Sequence, residues 1–272
     1  MKTAIERIGP DQARAYLATN IENNRKVANT HVLNLALAMQ KGQWELNGQG
    51  IVISSSGKLI DGQHRMMAVI KSGCPCDFLV IRGVDEGCFK TLGSNKARGP
   101  ADTLSTYGVS NCNVVAASVR LYLIYCGALL RNDGKGGSMN TYILPTHTDV
   151  LNEYQSSPEI YRMASRIGQN LKKVTTPTVA SSSFVTIVKK GGHEPDKVAE
   201  FWRKVESAEM MMSKDPRLVL RDRLLRAKTD KNYRISSSCA MCMTIKAWNA
   251  FILGKEISIL KYIDREPVPR VL

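Results

Sequence analysis

The chain has 272 residues, 43% of them hydrophobic, enough for one large domain or two small ones. No uninterrupted apolar run reaches the roughly 18 residues of a membrane span, and the opening MKTAIERIGPDQARAYL lacks the apolar core of a signal peptide, so the expectation is a cytoplasmic protein without a membrane partner. A net charge of +14, from 38 basic and 24 acidic residues, favours a polyanionic partner, nucleic acid before any other.

In chain order, residues 10–19 have a helical pattern, with Ala13, Tyr16 and Leu17 on one side. A second helix is predicted over 27–41, with Leu33, Leu37 and Met39 apolar and Gly42 as its stop signal. Asn47-Gly48 marks a turn, and Ile51-Val52-Ile53 reads as a strand. Ser56-Gly57 turns the chain into Lys58-Leu59-Ile60, and a helix over 62–72 ends at Gly73. Phe78-Leu79-Val80-Ile81 is apolar throughout, the mark of a fully buried strand.

Past residue 100 the pattern is helical. A long apolar helix over 113–130 ends at the glycine-rich 133–137, and further helices are predicted over 147–155, 158–171, 178–190, 195–211, 215–228 and 236–253. The fold class is therefore α+β, an N-terminal domain over 1–105 followed by a mostly α-helical domain over 106–272. Seven scattered cysteines, an odd number, point to reduced thiols. Cys239 and Cys242 have zinc-knuckle spacing without a second Cys/His pair nearby, and no structural zinc site is expected.

The chemistry concentrates in KLIDGQHRMMAVIKSG, residues 58–73. A helix start leaves main-chain N–H groups unpaired and carries partial positive charge, so it attracts anions. Gly62 admits a phosphate to the backbone, Gln63 stands beside it, and Arg65 offers a planar fork for phosphate oxygens. His64 can donate to the same anion or move a proton, and Asp61 can cap the helix or hold a divalent ion. The same five residues equally fit a capped helix whose arginine pairs with a structural carboxylate. Lys96 and Arg98, ahead of a helix opened by Gly99-Pro100, would form a second wall of the anion pocket, or a solvated basic loop. Glu45 is a candidate general base or Mg²⁺ ligand, and Asn47 lies two residues beyond it.

Asp61-Gly62-Gln63-His64-Arg65, with a strand before it and a small-residue helix after it, resembles the phosphate-binding motif of the ParB/sulfiredoxin superfamily. The similarity extends upstream to Trp44, Asn47-Gly48 and Ile51 and downstream from Phe89 to Leu104. It is closest to ParB-like proteins of phages and mobile elements. The resemblance implies a ParB/sulfiredoxin-like first domain that binds a nucleotide, ATP or CTP, with Mg²⁺ beside it, and Asn23, Asn24 and Arg25 at its border. Gln63 stands where sulfiredoxins carry their catalytic cysteine, which excludes that chemistry. His64 takes the place of one of two adjacent arginines in the DNA-segregation clamps.

The second domain holds SKDPRLVLRDRLLRAKTDKNYR, eight basic residues against three acids. Arg217, Arg221 and Lys228 fall near one helix face, suited to phosphate-backbone contact or to a solvated surface. Three functions are carried forward. The first is a phage or mobile-element nucleic-acid-binding protein, for DNA before RNA, whose ParB-like domain uses phosphoesters as a nucleotide-dependent binder or nuclease. The second is an ATP-dependent kinase acting on a small molecule or modified base. The third is a non-enzymatic DNA-binding regulator. The helical domain would bind nucleic acid or build a homo-oligomer.

Overall fold

The computed structural model describes residues 1–21, 24, 26–90, 99–130, 139, 144–263 and 266–272, the side chains of 89 and 90 excepted. The fold is α+β, and the chain divides into two compact units, Met1–Ala97 and Arg98–Leu272.

The first unit runs β1 (Lys2–Ile8), α1 (Pro10–Ala18), α2 (Asn29–Gln40), β2 (Ile51–Ser54), β3 (Leu59–Asp61), α3 (Gln63–Ser72) and β4 (Cys76–Val84), then a 3₁₀ turn over Glu86–Lys90. The sheet order is β1-β4-β2-β3. The central pair β4 and β2 is parallel, and the outer strands β1 and β3 are antiparallel to their neighbours. Helix α3 packs against both α1 and α2. Met66, Ala68 and Val69 of α3 join Ile51, Phe78 and Val80 of the sheet in one apolar core.

Three details depart from expectation. Strand β1 was not anticipated: its sequence KTAIERI is charged and mostly exposed, as an edge strand is, and only Ile8 is buried. Helix α2 buries Val32, Ala36 and Met39, the i, i+4, i+7 stripe, rather than Leu33 and Leu37. On β4 burial alternates, Phe78 and Val80 deep while Leu79 and Ile81 are half-covered, so this apolar run has one core face and not two.

The second unit contains α4 (Pro100–Thr106), α5 (Cys112–Leu130), α6 (His147–Ser156), α7 (Pro158–Asn170), α8 (Pro177–Gly191), α9 (Pro195–Ser207), α10 (Pro216–Thr229) and α11 (Ser237–Ile252). Helix α4 belongs here and not with the residues before it, because Leu104 is part of this unit's core. Five of these helices open on a proline, whose fixed φ suits a first turn and whose missing N–H would have lacked a partner there. Helix α8 is the axis: every residue from Val179 to Val188 is buried, against α5, α7, α9 and α11. Gly168 lets α7 meet α8, since a Cβ there would stand 2.6 Å from the Pro177 carbonyl oxygen. Helix α5 is long and apolar enough to cross a membrane by length and composition. Its Val115, Val119, Tyr122, Tyr125 and Ala128 are buried in the core of this unit.

Candidate functional site

Gly62 is the N-cap of α3, at φ 113° in the left-handed region. A Cβ there would also fall 2.6 Å from Ile51 Cδ1, so both backbone and packing demand glycine. This sharp turn places Asp61 at the end of β3 and Gln63, His64 and Arg65 in the first turn of α3, as the anion-cradle reading requires.

The side chains then turn inward. Arg65 is 11% exposed, and its Nη1 donates to the Gln49 carbonyl at 2.5 Å. Its Nη2 donates to the Gly50 carbonyl at 3.0 Å and to Asp61 Oδ2 at 3.1 Å. Asn47 Oδ1 accepts from the Gln49 N–H at 3.2 Å, which shapes the turn that presents those carbonyls. Upstream, Trp44 Nε1 donates to the Asp77 carbonyl and its ring packs on Phe78. Segment 44–50 has no ladder of its own, and these bonds tie it to α3 and β4.

His64 is buried, and its Nε2 accepts the Ala28 N–H at 3.0 Å. In the neutral ring the proton then sits on Nδ1. The His31 ring lies 5.4 Å away. Gln63 Oε1 accepts from Asn20 Nδ2 at 3.3 Å, and Asn20 Oδ1 accepts from Asn24 Nδ2 at 2.9 Å. Asn20, Asn24 and Ala28 are thereby stitched across the first turn of α3. Asp61, Gln63, His64, Arg65 and Asn47 are thus brought together around Gly62, whereas Glu45 is exposed on the 44–50 segment. Asn23, Arg25, Lys96, Arg98 and the 133–137 stretch lie outside the described residues. Asn20, Ala28, Gln49 and Gly50 were not foreseen; the last three act through main-chain atoms, which no residue pattern marks, and Asn20 acts through its side chain.

In the second unit, Arg217, Arg221 and Lys228 are each engaged within the protein. Asp215 caps α10 by accepting the Arg217 N–H at 2.8 Å, and the Arg217 side chain returns to it, with Nη2 to Oδ2 at 2.6 Å. That guanidinium also lies 4.7 Å above the Phe251 ring. Hydrogen bonding from Arg217, aided by its charge, holds the Asp215 carboxyl below its ordinary range, against the opposing effect of burial. Arg221 Nη1 donates to the Val205 carbonyl at 2.6 Å and to that of Glu206, both in the last turn of α9. Lys228 Nζ donates to the Lys172 carbonyl. It stands at a cleft of about 100 Å³ that Thr176 and Ser236, the caps of α8 and α11, also line.

Around that end of α10, Lys172, Lys173, Lys228, Lys231 and Arg234 are exposed, and Arg226 stacks 4.6 Å from the Tyr233 ring. The core of this helix is Leu220 and Leu224; Leu218 and Leu225 are only partly covered. Among the described residues, no three Cys, His, Asp or Glu side chains gather where a metal ion would be held. The chain matches no protein-family model, no curated protein and no solved structure.

Proposed function

We propose that this is a nucleic-acid-binding protein whose helical unit contacts the phosphate backbone of DNA and whose first unit is a ParB/sulfiredoxin-like domain. One observation carries the nucleic-acid reading: Lys228 lies on the main chain of Lys172, which brings Lys172, Lys173 and Lys228 together on an exposed face. Lys231, Arg234 and the Arg226–Tyr233 stack follow within a few residues. Like charges repel when gathered, and a polyanion relieves that repulsion while releasing its own counterions. Arginine beside an aromatic ring also suits exposed bases. Arg217, by contrast, pairs with the cap Asp215, and Arg221 serves the carbonyls that end α9, so the proposed contact moves from them to the end of α10 around Lys228.

The ParB-like reading is supported by the order strand, left-handed Gly62, then a helix with Ala68 fully buried. Within that reading the non-enzymatic regulator fits best, because Asp61, His64 and Arg65 hold main-chain and side-chain partners on neighbouring loops. Nucleotide use at Asp61–Arg65, with ATP or CTP and Mg²⁺, and any nuclease or kinase chemistry there, is the second reading. It is favoured by the helix start itself, where an anion meets partial positive charge.

The test is fluorescence anisotropy of a labelled duplex over a salt series. Wild type should bind with a steep negative dependence on salt. The triple variant Lys172→Glu, Lys173→Glu, Lys228→Glu should bind weakly to all sequences alike, with the slope reduced by about one per lost contact. Equal affinity and slope in the two proteins would refute the proposed surface. Calorimetry with ATP and CTP, beside nuclease and phosphate-release assays, decides the second reading: turnover lost in His64→Ala would promote it.

A further inference from the structure

At the end of the sheet opposite Gly62, a cavity of about 520 Å³ opens between the end of α1 and the carboxyl ends of β2 and β4. Its place follows from the strands. Gly62 packs on Ile51, where β2 begins, while the cavity is lined by Ser54, where β2 ends, and by Arg82 near the end of β4. The carboxyl ends of adjacent parallel strands commonly leave a crevice where ligands sit. On β4 the buried row Phe78, Val80 is continued by Arg82, so the apolar core gives way to a polar wall at this rim.

Arg82 and Tyr16 on that wall belong to a closed triangle with Glu6 behind them. Arg82 donates through both terminal nitrogens to the Glu6 carboxylate, the Nη2 contact being 2.9 Å. Arg82 Nη2 also donates to Tyr16 Oη at 2.6 Å, and Tyr16 Oη donates to Glu6 Oε2 at 3.1 Å. Hydrogen bonding from Arg82 lowers the Glu6 carboxyl below its ordinary range, so the pair is fixed as cation and anion at neutral pH. On the neighbouring turn Lys58 pairs with Glu86 at 3.7 Å. Charge is therefore matched at this rim: a phosphate would compete with Glu6 for the charge of Arg82, and Arg82 offers an ammonium group no acceptor.

We propose that the cavity binds an uncharged, polyhydroxylated ring of monosaccharide size. A hydroxyl both donates and accepts; Arg82 lines the cavity with donors, and beside it stands the Tyr16 hydroxyl, which like those of Thr19 and Ser55 can accept. Of the five N–H donors of the guanidinium, three are engaged by Glu6 and Tyr16, which leaves donors for a ligand. Thr19 and Ser55 add hydroxyls to the rim, and the Tyr16 ring and Ile53 supply an apolar surface for the C–H face of a sugar. The volume falls within the usual range of ligand pockets, about 300–1,000 Å³.

The experiment is an NMR titration of the full chain with ribose, glucose and galactose, with glucose 6-phosphate in parallel. At least one neutral sugar should bind saturably and shift the amides of Tyr16, Thr19, Ser55 and Gly83. Arg82→Met should weaken that binding at least about tenfold. Ser55→Trp, on an exposed turn and outside the triangle, should block it with the rest of the spectrum unchanged, which keeps the test sound should Arg82→Met fold poorly. Three results would overturn the proposal: no saturation by any of the neutral sugars, binding that survives Ser55→Trp, or tighter binding of the phosphorylated sugar.

Discussion

Arg65 in the first unit and Arg221 in the second each donate to two consecutive main-chain carbonyls, but the carbonyls differ in kind. Those of Gln49 and Gly50 belong to an irregular segment with no ladder of its own, and they meet two different nitrogens of Arg65 while Asp61 takes a third bond. Those of Val205 and Glu206 end a regular helix, and both converge on one nitrogen of Arg221. A helix end has orphan carbonyls that water also serves, and a cation there gains from the helix dipole. An irregular segment beside a buried strand has fewer alternatives. Arg65 should therefore decide whether residues 44–50 are placed at all, whereas Arg221 should only trim the stability of α9.

The largest expected effect comes from the residue that aims Arg65. Gly62→Ala puts a Cβ at φ 113° and 2.6 Å from Ile51 Cδ1. A left-handed penalty and overpacking together should cost about 3 kcal/mol. Hydrogen exchange should register the loss in residues 49–53 and 61–66 and leave α9 and α10 as they were. Wild-type protection there would mean that the start of α3 is not set by Gly62.

Truncating the two arginines comes next. Arg65→Ala removes two partly buried bonds and an exposed one and strips Asp61 of its cation, which should cost about 2 kcal/mol in urea denaturation. Arg221→Ala should cost about 1 kcal/mol, since one of its two bonds is exposed and water replaces it. Equal losses would remove the distinction between the two settings.

Acid tests the cap of α10, the helix that carries Arg221. Asp215 has its carboxyl lowered in the folded state, chiefly by hydrogen bonding from Arg217. A depressed carboxyl contributes stability that is present above its unfolded pKa and lost as pH falls through the folded one. Protection of α10 should therefore fall in acid, below about pH 4. In Asp215→Asn, which keeps an N-cap but not the charge, that acid loss should be shallower. An unaltered acid profile in the variant would assign the loss to other carboxylates.

These contrasts mark what was legible in the residues. The start of α3 was, because Asp61-Gly62 opens a polar turn, Gln63-His64-Arg65, that runs straight into the apolar Met66–Ile70. The order of helices in the second unit was also legible, since prolines and glycines punctuate it. Strand β1 was not, because an exposed edge strand carries charges like those of a loop. The partners of Arg65 and Arg221 were hidden for a deeper reason. A guanidinium that binds main-chain carbonyls can have any side chain opposite it, so residue type predicts the donor and is silent on the acceptor. The polar tract Ser181-Ser182-Ser183 misleads in the same way, since it lies wholly buried in α8, with Ser181 and Ser182 bonded to carbonyls.

The smallest effect separates the two arginines most sharply. Lysine keeps the charge but concentrates its three donors on one atom. At Arg221 one nitrogen already serves both carbonyls, so Arg221→Lys can reproduce the arrangement and should cost less than about 0.5 kcal/mol. At Arg65 the Gln49 carbonyl is met by Nη1, and the Gly50 carbonyl and Asp61 by Nη2, so no single ammonium position reaches all three as well. Arg65→Lys should lose about one bond to a charged donor, roughly 1–2 kcal/mol. The measurement is the pair of urea midpoints, with exchange at 47–51 and at 203–207 showing where each loss falls. If Arg221→Lys cost as much as Arg65→Lys, the planar fork rather than the number of nitrogens in use would be what both sites require.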